Sequence, residues 1–350
     1  MQSILYLNVI IPKTINKPNS LISMHKINIA LLAGGDSGEY EISIKSADEI
    51  QKQLDSSLYN VFPIHIRKNS WSYNTAGVKA EIDKNDFSLS LGKKKIRFDL
   101  ALIAIHGTPG EDGKLQSYFE MQQIPVSTCN SFTSSLTFNK YFSINVARAL
   151  GIKCAPGVIL HPHNKIDVKR IIDETGLPCF VKPNKGGSSV GMSKVNEIND
   201  LERAIHRAFE EDDEVLVEKF IKGRELTCAV YRDGDSLRAL PLIEIVSKKE
   251  FFDFEAKYDP KLADEIVSPS IKYLTEVRIK ELSTMLYEKL NCSGIVRCDY
   301  IVEEDNIWFL EVNTIPGMTA ESLVPKMIHE TGMTMRDFYN IIINEALKER

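Results

Sequence analysis

The sequence predicts three domains of α/β or α+β type, the first built on a parallel sheet. Three observations predict it. Apolar strand-like runs alternate with helical segments near the start, later runs pair around turn signals, and 350 residues exceed what one core usually serves.

Residues 27–33 (Ile-Asn-Ile-Ala-Leu-Leu-Ala) form an apolar strand that ends at Gly34-Gly35. A helix is expected over 42–54, a second strand over 59–66 and a third over 98–105, apolar throughout after Asp99. Apolar strands separated by helices imply a parallel sheet covered on both faces. Ligands of such sheets sit at the strands' C-terminal ends, which is where Gly34-Gly35 and the segment from His106 to Gly113 fall. This first domain covers residues 24–128.

A helix over 133–150 is closed by Gly151. Strand 179–182, a glycine-rich loop, strand 192–195 and a helix over 197–211 complete a central domain, 129–218. In the last domain, 219–350, strands 226–232 and 237–245 flank Asp233-Gly234-Asp235, a hairpin signature. Strands 298–302 and 307–312 flank Glu304-Asp305-Asn306 in the same way.

Composition narrows the class. With 43% hydrophobic and 26% charged residues the chain reads as a soluble globular protein. A net charge of −5 gives no basic surplus for nucleic acid or an anionic membrane. No apolar run approaches the roughly 18–20 residues of a bilayer span. Six scattered cysteines without a Cys-x-x-Cys pair suggest buried thiols in a reducing, cytoplasmic compartment. Residues 1–23 carry an apolar patch followed by Pro12 and Pro18, without a basic leader or a cleavage pattern. They are expected to be a poorly ordered extension, with Met24 as the natural start.

Three constellations carry chemistry. The loop Lys182-Pro183-Asn184-Lys185-Gly186-Gly187-Ser188-Ser189-Val190-Gly191 brings glycines, hydroxyls and lysines together between two strands. It suits a triphosphate cradle, although it is not a Walker A loop, and a plain hairpin turn is the competing reading. Next, Arg297-Cys298-Asp299 precedes Glu311-Val312-Asn313. In a hairpin Asp299 faces Glu311, and Glu311 shares a face with Asn313. Two carboxylates and an amide oxygen suit Mg²⁺ carrying ATP phosphates; a solvated strand face is the alternative. Last, the turn at Pro316-Gly317 either aims an N–H at a developing oxyanion, with Arg297 as cationic partner, or is only a turn.

Together these sets resemble the D-alanine–D-alanine ligases, over the chain from Met24 almost to its end. Further motifs agree: Gly34-Gly35-Asp36-Ser37-Gly38-Glu39-Tyr40-Glu41, the His106-Gly107 to Glu111-Asp112-Gly113 segment, and Glu255-Ala256-Lys257-Tyr258. The resemblance implies a three-domain ATP-grasp fold with an N-terminal parallel-sheet domain. It implies ATP-dependent ligation of two D-alanine molecules through an acyl phosphate, for peptidoglycan precursors. ATP and two Mg²⁺, with Mn²⁺ as an alternative, are the implied cofactors, and a homodimer the implied assembly.

The resemblance also distributes roles. Lys140 and Lys182 would hold the ATP phosphates, with Lys257 reaching the γ-phosphate and Tyr258 beside it, both on a closing loop. Glu218, Lys219 and Ile221 would line the adenine pocket and Glu225 would bind the ribose. Asp299, Glu311 and Asn313 would hold the metals, with Glu311 shared. Arg297 and the Gly317 N–H would stabilise the tetrahedral intermediate. Glu41 would bind the ammonium of the first D-alanine, and Glu41, Ser188 and Tyr258 would form a network to the loop. Ser322 would hold the second substrate's carboxylate and Leu323 its methyl group. Tyr at 258 goes with the dipeptide, where Phe goes with D-alanyl-D-lactate; a ligase with another acceptor, D-lactate or D-serine, is the alternative. His106, ending its strand, reads as a substrate contact or a satisfied structural histidine. Lys140 lies inside the expected helix 133–150, where an exposed lysine is the plain alternative.

Overall fold

The computed structural model describes residues 26–187, 190–248 and 263–348. The extension 1–23 and the site residues Ser188, Lys257 and Tyr258 lie outside them.

The first sheet contains β1 (Ile27–Gly34), β2 (Tyr59–Arg67), β3 (Ser70–Thr75), β4 (Val78–Asp83), β5 (Ser88–Leu91), β6 (Lys94–Ile96) and β7 (Leu100–Ile103). Their order is β6-β5-β4-β3-β2-β1-β7. Only β1, β2 and β7 run parallel; β3 to β6 extend the sheet antiparallel. The expected parallel sheet is therefore a mixed one. Tight turns at Lys68 and at Ala76-Gly77, with positive φ, fold the intervening segment back as short strands where no helix intervenes. Helix α1 (Tyr40–Gln53) follows β1 and α2 (Lys114–Met121) follows β7. Burial drives this: Ile29, Leu31 and Leu32 of β1 are fully buried, each contributing about 1.5–3 kcal/mol.

The expected helix over 133–150 is two helices, α3 (Ser131–Phe138) and α4 (Lys140–Ala149). Asn139 leaves helical geometry (φ −85°, ψ 102°) and its side chain accepts from Phe142 N, capping α4. Lys140 is thus the first residue of a helix, not a mid-helix lysine. A second, antiparallel sheet, in the order β10-β9-β11-β8, contains β8 (Gly157–Leu160), β9 (Cys179–Pro183), β10 (Ser193–Val195) and β11 (Val215–Lys219). Helices α5 (Val168–Thr175) and α6 (Leu201–Phe209) pack on it.

The third sheet contains β12 (Arg224–Asp233), β13 (Ser236–Ala239), β14 (Ile243–Ser247), β15 (Ala263–Val267), β16 (Ile295–Glu303) and β17 (Asn306–Asn313). Its order is β15-β14-β12-β16-β17, with β13 also on β12. The expected strand 237–245 is split into β13 and β14 at Pro241, which has no N–H for the ladder. Helix α7 (Tyr273–Lys289) packs on this sheet. Helices α8 (Leu323–Glu330) and α9 (Met335–Lys348) share one core with α1, β1 and β7, which brings the end of β17 to the end of β7. All six cysteines are free and buried, as expected. No helix among the described residues is long and apolar enough to cross a membrane.

Candidate active site

A cleft of about 2260 Å³ opens where the three sheets meet. That is larger than the roughly 300–1,000 Å³ of a one-ligand pocket. Of the described site residues read from the sequence, all but Glu41 line it.

Its floor is the β16–β17 hairpin. Asp299 pairs opposite Glu311 and Arg297 opposite Asn313, so the four side chains share one face. A register shift follows Asp299, and such bulges re-aim side chains next to sites. Arg297 grips Asp299 with two bonds, Nε to Oδ1 and Nη2 to Oδ2, each 2.8 Å. Thr227 Oγ1 donates to Asp299 Oδ1 at 2.6 Å. Burial opposes the charge on Arg297, but Asp299, Glu311 and Glu111 outweigh it and raise its pKa. An unpaired carboxylate as buried as Asp299, only 6% exposed, would be costly, and Arg297 offsets that cost.

These donors fit Mg²⁺. Asn313 Nδ2 lies 3.0 Å from Asp299 Oδ2 and 3.4 Å from Glu311 Oε1, so the three side chains converge. Turning the amide over presents Oδ1 instead. Among the described residues no group of three or more His, Cys, Asp or Glu gathers for a metal. Two carboxylates and an amide leave positions for phosphate oxygens and water, the usual arrangement for this ion.

The cations come from the second sheet and α4. Lys140 Nζ donates to Gly186 O and lies 3.7 Å from Glu311 Oε2. A lysine in the first turn of a helix is disfavoured by about 0.3–1 kcal/mol unless an anion sits beside it. Lys182 pairs with Glu218 across β9 and β11. Lys185 pairs with Asp212, Asp213 and Glu214 at 3.3, 2.6 and 3.7 Å. Lys219, Ile221 and Glu225 line the adjoining stretch.

The remaining wall belongs to the first sheet. Gly35 adopts φ +93°, and a Cβ there would lie 2.5 Å from Ile105 Cγ2, so only glycine lets the chain turn here. Ser43, fully buried, accepts from Gly34 N at 2.8 Å and donates to Ala104 O at 2.7 Å, binding the ends of β1 and β7 together. His106 has both ring nitrogens engaged, Nε2 with Ser46 Oγ at 3.2 Å and Nδ1 with Ile315 O at 2.9 Å. Burial holds its pKa below the ordinary value. That arrangement favours the structural reading. His106 joins β7 and α1 to the Pro316-Gly317 turn, where a Cβ on Gly317 would meet Ser322 Oγ at 2.9 Å. Ser322 stands at the start of α8, accepts from Thr319 N at 3.1 Å, and lines the cleft with Leu323.

One assignment changes. Glu41 is exposed and does not line the cleft, whereas Glu39 does. A Cβ on Gly187 would come within 2.8 Å of Glu39 Oε2, so this carboxylate faces the glycine-rich loop. Helix α1 begins at Tyr40, which leaves Glu39 at the sheet edge and carries Glu41 about 100° past Tyr40 round the first turn. The helix start was the signal that distinguishes them.

Glu111 belongs to the His106–Gly113 segment. It lines the cleft, and its Oε2 accepts from Gly107 N at 2.7 Å. Burial and the nearby Glu39 and Glu311 push its pKa up from 4.5 to about 8, against the Gly107 bond and Lys140. A raised carboxyl pKa means that the folded state binds the extra proton. The stability it contributes is therefore present below about pH 4.5 and lost as pH rises through 8. In Glu111→Gln the unfolding midpoint is expected to fall less steeply between pH 5 and 8.5 than in the wild type. Parallel midpoint curves would contradict this.

The chain is similar to known proteins over most of its length. Residues 28–129 match the family model described as D-ala D-ala ligase N-terminus, and 146–344 match D-ala D-ala ligase C-terminus. A D-alanine–D-alanine ligase from Azobacteroides pseudotrichonymphae is 44% identical over 320 residues, 90% of this chain and 98% of that protein. Among solved structures, the VanG D-Ala:D-Ser ligase from Enterococcus faecalis superposes with a TM-score of 0.82 at 31% identity, covering 92% of this chain and all of that one. The D-alanine–D-alanine ligase from Bacillus anthracis complexed with ATP gives 0.75 at 32% identity, covering 93% and 98%.

Proposed function

This chain belongs to the D-alanine–D-alanine ligase family, and from that premise we propose how its residues divide the reaction. The activity is the ATP-dependent, ADP-forming joining of two D-alanine molecules. One observation supports the division above all: Lys140 and Lys182 meet the Arg297, Asp299, Glu311 and Asn313 face, and Glu39, in the same cleft.

Lys140 and Lys182 hold the ATP phosphates, with Glu218, Lys219 and Ile221 around the base and Glu225 at the ribose. Two Mg²⁺ ions, with Mn²⁺ an alternative, held by Asp299, Glu311 and Asn313 would neutralise phosphate charge when bound. Glu39, in place of Glu41, binds the ammonium of the first D-alanine and aims its carboxylate at the γ-phosphorus. The carboxylate oxygen bonds to that phosphorus as the bond to the ADP oxygen breaks, giving an acyl phosphate. The second D-alanine, held by Ser322 with Leu323 at its methyl group, gives one ammonium proton to solvent water. Its nitrogen then attacks the carbonyl carbon. Arg297 and Gly317 N–H carry the oxyanion until phosphate leaves. Positioning and charge neutralisation do most of the work in such transfers.

Lys257, Tyr258 and Ser188 keep the roles the resemblance gives them, with Glu39 as the network's carboxylate; Gly187, beside Ser188 in sequence, supports that substitution. The domain limits at 128/129 and 218/219, a cytoplasmic setting and a place in peptidoglycan precursor synthesis belong to the same reading. So does a homodimer, for which Met121 and Phe132, 77% and 73% exposed on the adjoining α2 and α3, offer apolar surface.

The test is the product. ATP, Mg²⁺ and D-alanine are expected to yield D-alanyl-D-alanine with one phosphate per dipeptide. The dipeptide should remain the main product when D-lactate or D-serine is added at equal concentration. A mixed product dominating at both pH 6 and pH 8.5 would move the chain to the alternative acceptor class.

A further inference from the structure

The phosphate side of the cleft depends on a side chain that does not itself line it. Asn184, just after β9, is 0% exposed. Its backbone N–H donates to Glu214 O at 2.9 Å, and its backbone carbonyl accepts from Lys140 N at 3.1 Å. Its Oδ1 accepts from Tyr141 N at 2.8 Å, and its Nδ2 donates to Glu214 Oε2 at 2.6 Å. The same Glu214 oxygen accepts from Asn139 Nδ2 at 3.0 Å. Asn139 Oδ1 in turn accepts from Phe142 N at 3.1 Å.

These bonds have two effects. The amides of Lys140, Tyr141 and Phe142, which open α4, are spent on Asn184 and Asn139. Helix N-termini commonly bind phosphate through such amides, so here the contact falls to the Lys140 side chain. Lys185, the loop's other cation, is turned onto Asp212, Asp213 and Glu214 and anchors the loop base. The separation of Lys140 from Lys182 is therefore set by the joint at Asn184, two residues after Lys182 and bonded directly to Lys140.

We propose that Asn184 is a positioning residue for the nucleotide. Held by Glu214, whose carboxylate oxygen Asn139 shares, it fixes the glycine-rich loop to α4 so that Lys140 and Lys182 stand ready for a triphosphate. The proposal rests on the reading that this side of the cleft takes ATP.

The experiment separates nucleotide from amino acid. In Asn184→Ala the KM for ATP and the calorimetric Kd for Mg-ATP are expected to rise about tenfold, from two lost buried hydrogen bonds. The KM for D-alanine should stay within about twofold. Glu214→Gln keeps an acceptor oxygen for Asn184 Nδ2 and should stay within about threefold for ATP. A larger loss there would mean that the Glu214 charge sets the loop, overturning the role of Asn184. Should Asn184→Ala fail to fold, Asn139→Ala leaves Asn184 in place and decides the matter. A rise of about threefold for ATP alone supports the proposal. An unchanged ATP constant, or equal losses for both substrates, overturns it. A wild-type chain that binds Mg-ATP without forming dipeptide would refute the reaction while leaving this binding test intact.

Discussion

Glu311→Gln is expected to lower D-alanine-dependent phosphate release by about a thousandfold or more, the scale of losing a principal charge-stabilising group. The substitution keeps the shape of the side chain and removes its charge. Lys140, 3.7 Å away, then loses a counter-charge, and the paired carboxylates opposite each other on β16 and β17 become one. Asp299 remains fixed by Arg297 and Thr227, so the hairpin itself should persist. Steady-state rates at increasing Mg²⁺ are the measurement, and added Mg²⁺ should not restore turnover. Rates within about tenfold of wild type would remove Glu311 from the centre of the site.

Glu39→Gln and Glu41→Gln form a second, paired test. A charge-assisted hydrogen bond to an ammonium is worth about 1.5–3 kcal/mol. Its loss in Glu39→Gln should raise the KM for the first D-alanine by about 10- to 150-fold. Glu41 is exposed and off the cleft, so Glu41→Gln should stay within about twofold. Reversed results would restore Glu41 to the role that the family resemblance implies.

These two acids also mark how much of the site was legible in the sequence. The hairpin carrying Asp299 opposite Glu311 was legible because period-two alternation and a Glu-Asp-Asn turn fix a register locally. Glu39 and Glu41 were not separable, because the choice depends on which residue starts α1 at the sheet edge. Lys140 was misplaced for a related reason. Asn139 breaks the helix through bonds to Phe142 and to Glu214, and Glu214 is 75 residues distant in sequence. Strands β3 to β6 escaped notice because runs of three to six residues with tight turns carry little periodic signal. The partners of Lys185 were equally illegible, because they arrive from the turn before β11.

Isotope transfer from D-alanine labelled with ¹⁸O in its carboxylate follows the one oxygen on which activation turns. If a substrate oxygen attacks the γ-phosphorus in this cleft, each dipeptide formed releases one inorganic phosphate carrying a single ¹⁸O atom. Phosphate free of ¹⁸O, released alongside the same dipeptide, would mean that the carboxylate is never phosphorylated and that Lys140, Lys182 and Glu311 serve some other chemistry.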